Sequence, residues 1–153
     1  MLNKEEHRRY SRQTILPEIG IAGQLKMKSA KVLVIGAGGL GCVLLQYLAA
    51  AGVGTIGIVD DDVVSLTNLH RQILYHTADI GKLKALVAAE RLTLLNPDIR
   101  VTSYNLRIEK NNIAGIVKDY DLVLDGTDNF ATRYLINDAC TLLRKPLIFA
   151  AVS

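Results

Sequence analysis

Lys31-Val32-Leu33-Val34-Ile35-Gly36-Ala37-Gly38-Gly39-Leu40-Gly41 decides how this chain folds. After Lys31 the first residues are all aliphatic and mostly β-branched, which reads as a buried strand. A G-x-G-x-x-G turn follows (Gly36, Gly38, Gly41), then apolar residues at helical spacing: Leu40, Val43, Leu44, Tyr47, Leu48 and Ala51. Strand, glycine turn and helix in that order open a nucleotide-binding βαβ unit. Glycines let the backbone turn sharply and approach a phosphate, while the helix N-terminus offers unpaired N–H groups and partial positive charge. The competing reading is a glycine-rich turn with no ligand, and the motif alone does not say which nucleotide it would hold.

Downstream, Gly52 and Gly54 end the helix and Thr55-Ile56-Gly57-Ile58-Val59 reads as a second strand. It runs into Asp60-Asp61-Asp62, with Asp60 roughly 20 residues beyond Gly41, where an acid at the strand tip would meet ribose hydroxyls. A solvated acidic turn is the alternative. Asn68 and Arg71 are spaced to share one face of a helical turn and would flank the phosphate site. His70 and His76 have no ligand partners at metal spacing and read as surface or packing residues. A helix is expected over 79–96, with Leu83, Leu86, Val87 and Leu94 on its buried face and Asn96-Pro97 stopping it. Lys82 and Lys84 fall in its first turns, where cations oppose the helix dipole. Such an inconsistency suits a site or a plain surface equally.

The remaining pattern predicts a strand over 100–106, a short helix over 111–118 and a strand over 122–125 that ends in Asp125-Gly126-Thr127-Asp128-Asn129. Asn129 can cap the next helix, whose expected buried stripe is Leu135, Ile136, Ala139, Leu142 and Leu143. For Asp128, a helix cap and a metal-phosphate ligand compete. A last strand is expected over 146–150, with the chain stopping just beyond it and no helix to cover it. Upstream, residues 3–28 carry two short helices separated by Pro17 and Gly20, and Arg9 to Gln13 reads as a solvated helix face. The expected architecture is therefore α/β: a Rossmann-like open parallel sheet with helices on both faces over 31–153, preceded by a helical arm over 1–30.

With 153 residues, half of them hydrophobic, the chain makes one domain and can bury about two-thirds of its unfolded surface. A net charge of +3 with no basic run gives no argument for nucleic acid. The N-terminus is polar, and the longest apolar run, Val43 to Val53, is broken by Gln46 and Gly52, so neither a signal peptide nor a membrane partner is expected. Cys42 and Cys140 form no C-x-x-C pair, which fits a reducing cytoplasm and no zinc within this chain. Cys42 at the helix start is either a thiol of lowered pKa or packing under the glycine turn.

Arg9-Tyr10-Ser11-Arg12-Gln13, Gly36-x-Gly38-Gly39-Leu40-Gly41, Asp60-x-Asp62, Ser65-Leu66-Thr67-Asn68-Leu69-His70-Arg71-Gln72, Gly81-x-x-Lys84 and Asp125-x-Thr127-Asp128-Asn129 occur together and in order. By these motifs the chain resembles the ThiF/MoeB/HesA family, bacterial relatives of ubiquitin-activating enzymes, over its whole length. The resemblance implies an adenylyltransferase that uses ATP and Mg²⁺ to activate the C-terminal carboxylate of a ubiquitin-like sulfur-carrier protein of the molybdopterin or thiamine type. It implies that Gly39, Leu40 and Gly41 line the phosphates, Asp60 holds the ribose, and Asn68, Arg71 and Lys84 face the phosphate chain. Asp128 would bind Mg²⁺ and Arg12 would reach in from the arm. Gly36, Gly38, Asp62, Gln72 and Asn129 belong to the same nucleotide-binding set, and a homodimer is implied.

A carboxylate nucleophile is already ionised at neutral pH, so such chemistry needs no general base. The difficulty is bringing an anion to a polyphosphate, and cations and preorganised N–H donors each supply ~2–4 kcal/mol in a dry site. The chain departs from the family by ending early: zinc-binding C-x-x-C pairs and much of the carrier-binding surface are expected only in a further half. An NAD-dependent oxidoreductase shares the glycine turn and the acid after the second strand, but has no need of Arg71, Lys84 and Asp128. A non-catalytic nucleotide-binding module is the third reading.

Overall fold

Four of the five residues of β1 (Lys31–Ile35) are buried, which is why it reads as an unbroken apolar run rather than an alternating one. It is the central strand of a sheet covered on both faces. The computed structural model describes residues 1–150, so the expected end of the chain at 151–153 lies outside the described residues. β2 (Thr55–Val59), β3 (Arg100–Tyr104), β4 (Leu122–Asp125) and β5 (Leu147–Phe149) pair in parallel with it in the order β3-β2-β1-β4-β5. Val32 and Val34 face one core, under α4 (Gly39–Ala51) and α5 (Lys84–Leu95). Leu33 and Ile35 face the other, under α6 (Ile113–Val117) and α7 (Phe130–Leu142). The strand order reverses on either side of β1, so the carboxyl ends of β1, β2 and β4 open a crevice of the kind in which such sheets bind ligands.

The helices bury faces that match the expected ones only in part. On α4 the buried residues are Gly41, Cys42, Leu45 and Ala49, while Val43 and Tyr47 are exposed, Tyr47 by 73%. This helix is apolar almost all round, so periodicity could not select its face, and small residues with Leu45 lie against the sheet. On α5 the contact is made by Ala85, Val87, Ala88 and Leu92, with Leu86 and Leu94 exposed. On α7 the expected Ile136 and Ala139 are buried with Cys140, the expected Leu135 and Leu143 pack half-buried against the same core, and Leu142 departs from the stripe at 84% exposed. α5 also starts at Lys84 rather than at 79. Residues Thr77–Asp79 form a separate 3₁₀ turn, and Gly81 at φ +84° interrupts any continuous helix. β3, α6 and β5 are each shorter than the sequence suggested.

The arm holds three helices, not two: α1 (Lys4–Arg9), α2 (Ser11–Thr14) and α3 (Gly20–Ser29). Asn3 and Glu6 close a capping box, and the buried Glu6 carboxylate pairs with Lys28 at 2.6 Å. Tyr10 is buried against Gly52, and its hydroxyl accepts from Asn96 Nδ2 at 2.9 Å. Gln13 Nε2 and Gln24 Nε2 donate to the Ala51 carbonyl at 2.8 and 2.9 Å. Thus Tyr10 and Gln13, read as a solvated face, are residues that dock the arm, and Ser11 and Arg12 between them stay exposed. Apart from the Glu6–Lys28 pair within the arm, these ties run to the C-terminal ends of α5, through Asn96, and of α4, whose 13 residues span about 20 Å. Among the described residues no helix is long and apolar enough to cross a membrane.

Candidate active site

The glycine turn joins β1 to α4 at the sheet's carboxyl edge. Gly36 has φ +93°, and a Cβ there would lie 3.1 Å from the backbone of Gly126 in the turn after β4. A Cβ on Gly41 would lie 1.8 Å from the Gly36 carbonyl oxygen. Those two glycines are required by the chain's own packing. Gly38 and Gly39 are not: their added Cβ atoms would meet only Gln72 Nε2 and Arg71 Cδ, each at 3.7 Å. Gly38 is the N-cap of α4 and no side chain caps it, so the first-turn N–H groups face the crevice with the positive end of the helix dipole. Beneath the turn, the Ala37 carbonyl accepts from Tyr75 Oη at 2.8 Å and Cys42 Sγ at 3.3 Å. Burial pushes the Cys42 thiol up to about 11, so of its two readings packing holds and a lowered pKa does not.

The crevice is a cavity of about 980 Å³. The glycine turn contributes Gly36, Gly38, Gly39 and Leu40, with Gly41 buried behind them. Asp60 and Asp62 come from the end of β2, and Asn68, Arg71 and Gln72 from the loop that follows. Lys84 comes from the start of α5, and Asp128 and Asn129 from the turn before α7. Arg12 is not among them. It sits on α2, tied to the far end of α4.

Each group has a definite electrostatic setting. Asp60 accepts the Ala37 amide at 2.7 Å and the Asp62 amide at 2.9 Å, lashing the tip of β2 to the glycine turn. Burial pushes its carboxyl above the usual range, and the two amides and Lys84 pull against that shift. The Lys84 side chain is only 5% exposed, with Nζ 3.0 Å from Asp62 Oδ2, while its own amide donates to the Asp62 carbonyl at 2.9 Å. Asp62 therefore holds Lys84 in the wall of the crevice, although Lys84 opens α5 against the dipole. Lys82, its neighbour in the same expectation, turns away to Asp79 at 3.1 Å. Asn68 ends a 3₁₀ turn, and its carbonyl accepts from the Arg71 and Gln72 amides, which sets both side chains on the crevice. Arg71 makes only long contacts, to Thr67 and His70 at 3.4 Å, and has no carboxylate partner among the described residues. Gln72 is buried with its Oε1 unpartnered among the described residues.

Residues 10–153 match the ThiF family. The chain belongs to the ThiF family. It is 56% identical over 97% of its length to the sulfur carrier protein adenylyltransferase of Thermus thermophilus, of which it covers 55%. To the probable adenylyltransferase/sulfurtransferase MoeZ of Mycobacterium tuberculosis it is 54% identical over 99% of its length, covering 38% of that protein. Among solved structures, E. coli tRNA N6-threonylcarbamoyladenosine dehydratase TcdA in complex with ATP superimposes with a TM-score of 0.92 at 29% identity, over 97% of this chain and 61% of that one. The chain thus spans about half or less of the length of the curated relatives it matches.

The structure of this ThiF-family chain also brings to the crevice residues that sequence reasoning passed over, Arg107 and Ile108 from the loop after β3 and Phe130 and Arg133 from the start of α7, together with Thr127 of the motif after β4. Arg133 Nε and Nη2 donate to the Thr127 carbonyl at 3.1 and 2.6 Å. It carried the same signal as Lys84, a cation in the first turn of a helix. Asn129 caps α7 by accepting the Thr132 amide at 3.2 Å, which leaves Asp128 exposed and free of that task.

Proposed function

We propose that the chain is the nucleotide-binding part of an ATP-dependent adenylyltransferase that activates the C-terminal carboxylate of a ubiquitin-like sulfur carrier of the molybdopterin or thiamine type. One observation carries the reading. An uncapped helix N-terminus, two cations (Arg71 and Lys84) and an exposed carboxylate (Asp128) share one crevice. A dinucleotide uses the first of these features, whereas a metal-bound triphosphate uses all of them. The relatives' printed activities, and the ATP bound to TcdA, support the same choice.

Asp60, whose two oxygens each keep a lone pair beyond the amide bonds they accept, meets the ribose hydroxyls. The α4 N–H groups, Asn68, Arg71, Gln72 and Lys84 line the phosphate chain. The open space at Gly38 and Gly39, which the protein does not fill, is where a phosphate fits against the backbone. Beside phosphates, Mg²⁺ is commonly held through one or two carboxylates. Asp128, exposed on the crevice, would be such a carboxylate, with Asn129 adjoining it, and the metal when bound would neutralise charge on the phosphates. The carrier carboxylate forms a bond to the α-phosphorus as the bond to the leaving pyrophosphate breaks, with Arg71 and Lys84 compensating the charge that develops on the leaving group.

The unit acts as a homodimer. The arm exposes Ile15, Leu16 and Ile21, and α4, to which it is tied, exposes Val43 and Tyr47, an apolar surface of the sort that marks an interface. Arg12, about 20 Å along α4 from its own crevice, serves the neighbour's. Calorimetry with Mg-ATP and NAD tests the nucleotide: Mg-ATP binds more tightly, and tighter NAD binding would refute the assignment.

A further inference from the structure

The turn that carries Asp128 is held more firmly than a surface turn needs to be. Thr127 is bound through every polar group it has. Its amide and its hydroxyl both donate to Oδ1 of the buried Asp125, at 2.8 and 2.7 Å, and its carbonyl accepts two N–H groups of Arg133. On the other side, the Asn129 side chain caps α7 and its carbonyl accepts the Arg133 amide at 3.1 Å. Asp128 is thus the one free residue between two fixed ones, and the peptide that sets its direction begins at the carbonyl Arg133 grips.

Arg133 is an awkward residue for a purely structural clamp. It is a cation in the first turn of α7, where the dipole opposes it, and no carboxylate pairs with it among the described residues. Its guanidinium is held instead between the Thr127 carbonyl and the Phe130 ring, 5.5 Å from Cζ to the ring centroid. A planar fork can deliver two parallel donors to one oxygen and keep its plane fixed by stacking, which a lysine ammonium cannot.

We infer that Arg133 is a positioning residue for Asp128: by clamping the Thr127 carbonyl it fixes the carboxylate in the crevice at the place where a divalent cation is bound. The inference rests on the reading of Asp128 as the metal-binding residue. Residues that orient a ligand from behind govern metal affinity without touching the metal, typically by tenfold or more. The prediction is therefore specific to the metal and leaves the nucleotide's other contacts alone.

The test measures ATP binding to the chain by calorimetry, in Mg²⁺ and again in EDTA, for the parent, Arg133→Ala, Arg133→Lys, Asp128→Asn and the Arg133→Ala/Asp128→Asn pair. Thermal melts establish that each is folded, and Arg133→Lys, which keeps the charge but not the fork, carries the test if the alanine variant does not fold. The expected result is unchanged affinity in EDTA with the Mg²⁺-dependent gain cut by about tenfold. The double variant should be no worse than Asp128→Asn alone. Equal losses in Mg²⁺ and EDTA would mean that Arg133 touches the phosphates directly, and overturn the inference. So would an unchanged Mg²⁺ gain in the Arg133 variants where Asp128→Asn abolishes it. If Asp128→Asn keeps the gain, the metal reading fails first and takes the inference with it.

Discussion

Three glycine-to-alanine substitutions separate the part of the glycine turn that folds the chain from the part that serves a ligand. In Gly41→Ala the new methyl would stand 1.8 Å from the Gly36 carbonyl oxygen and 2.8 Å from its carbon. Relief requires Gly36 to move by more than an ångström, yet Gly36 is itself pressed against the Gly126 backbone and held at φ +93°. Neither neighbour is the end of a flexible side chain, so the cost is about 3 kcal/mol or more, in the range reserved for backbone strain and overpacking. Gly39→Ala meets nothing nearer than Arg71 Cδ at 3.7 Å, and it opens α4, so folding should be favoured by up to ~1 kcal/mol. The same methyl occupies the space beside the uncapped N–H groups, and Mg-ATP affinity should fall by about tenfold, or ~1.4 kcal/mol. Gly115→Ala is the control: exposed, inside α6 and with nothing within 4 Å, it should gain about 0.5–1 kcal/mol and leave binding untouched. Urea denaturation followed by circular dichroism gives the stabilities, and calorimetry gives the affinities. An unchanged urea midpoint for Gly41→Ala, or parental Mg-ATP binding by Gly39→Ala, would refute the division of labour.

Two further outcomes follow from charges. Asp79 is buried with Arg91 at 2.9 Å and Lys82 at 3.1 Å, and chiefly the Arg91 bond holds its carboxyl at about 2. A folded pKa below the unfolded one gives stability that is full above about pH 4 and lost as pH falls towards 2, here roughly 2 kcal/mol. Asp79→Asn should therefore be less stable than the parent at pH 7 and nearly equal to it at pH 2, and a gap of the same size at both would count against the pairing. For Arg12, in a full-length version of the protein, mixing Arg12→Ala subunits with Asp128→Asn subunits, each inactive alone, should restore part of the activity if the arm serves the neighbouring site. No recovery with heterodimers demonstrably formed would place Arg12 in its own subunit's service or in none.

What could be read from the letters and what could not divides along physical lines. β1 and the glycine turn were legible because each carries a local constraint, an unbroken apolar run and a backbone that only glycine can adopt. The crevice residues were legible as motifs: all but Gly41 and Arg12 line one cavity. The helix faces were not, because α4 and α5 press alanine, glycine and cysteine against the sheet while Tyr47 and Leu94 look outward, a choice that depends on interhelix distance rather than on hydropathy. The start of α5 was hidden too. Asp79 looks like a helix-opening acid, but it closes its own turn on the His76 amide and spends its charge on Arg91. Arg133 escaped because its partner is a main-chain carbonyl, which leaves no mark in the identity of Thr127.

The contact between Gly36 and Gly126 has a mechanical consequence. It joins the turn after β1 to the turn after β4, main chain on main chain, so the two behave as one stiff jaw. The opposite jaw is of another construction. From Asp61 to Leu83 it has two 3₁₀ turns and a single antiparallel bridge, Val63 to Leu83, at its root. Compliance in the crevice is thus one-sided. A visitor too large for it is expected to displace the loop that carries Asn68, Arg71 and Gln72 before it displaces the glycine turn.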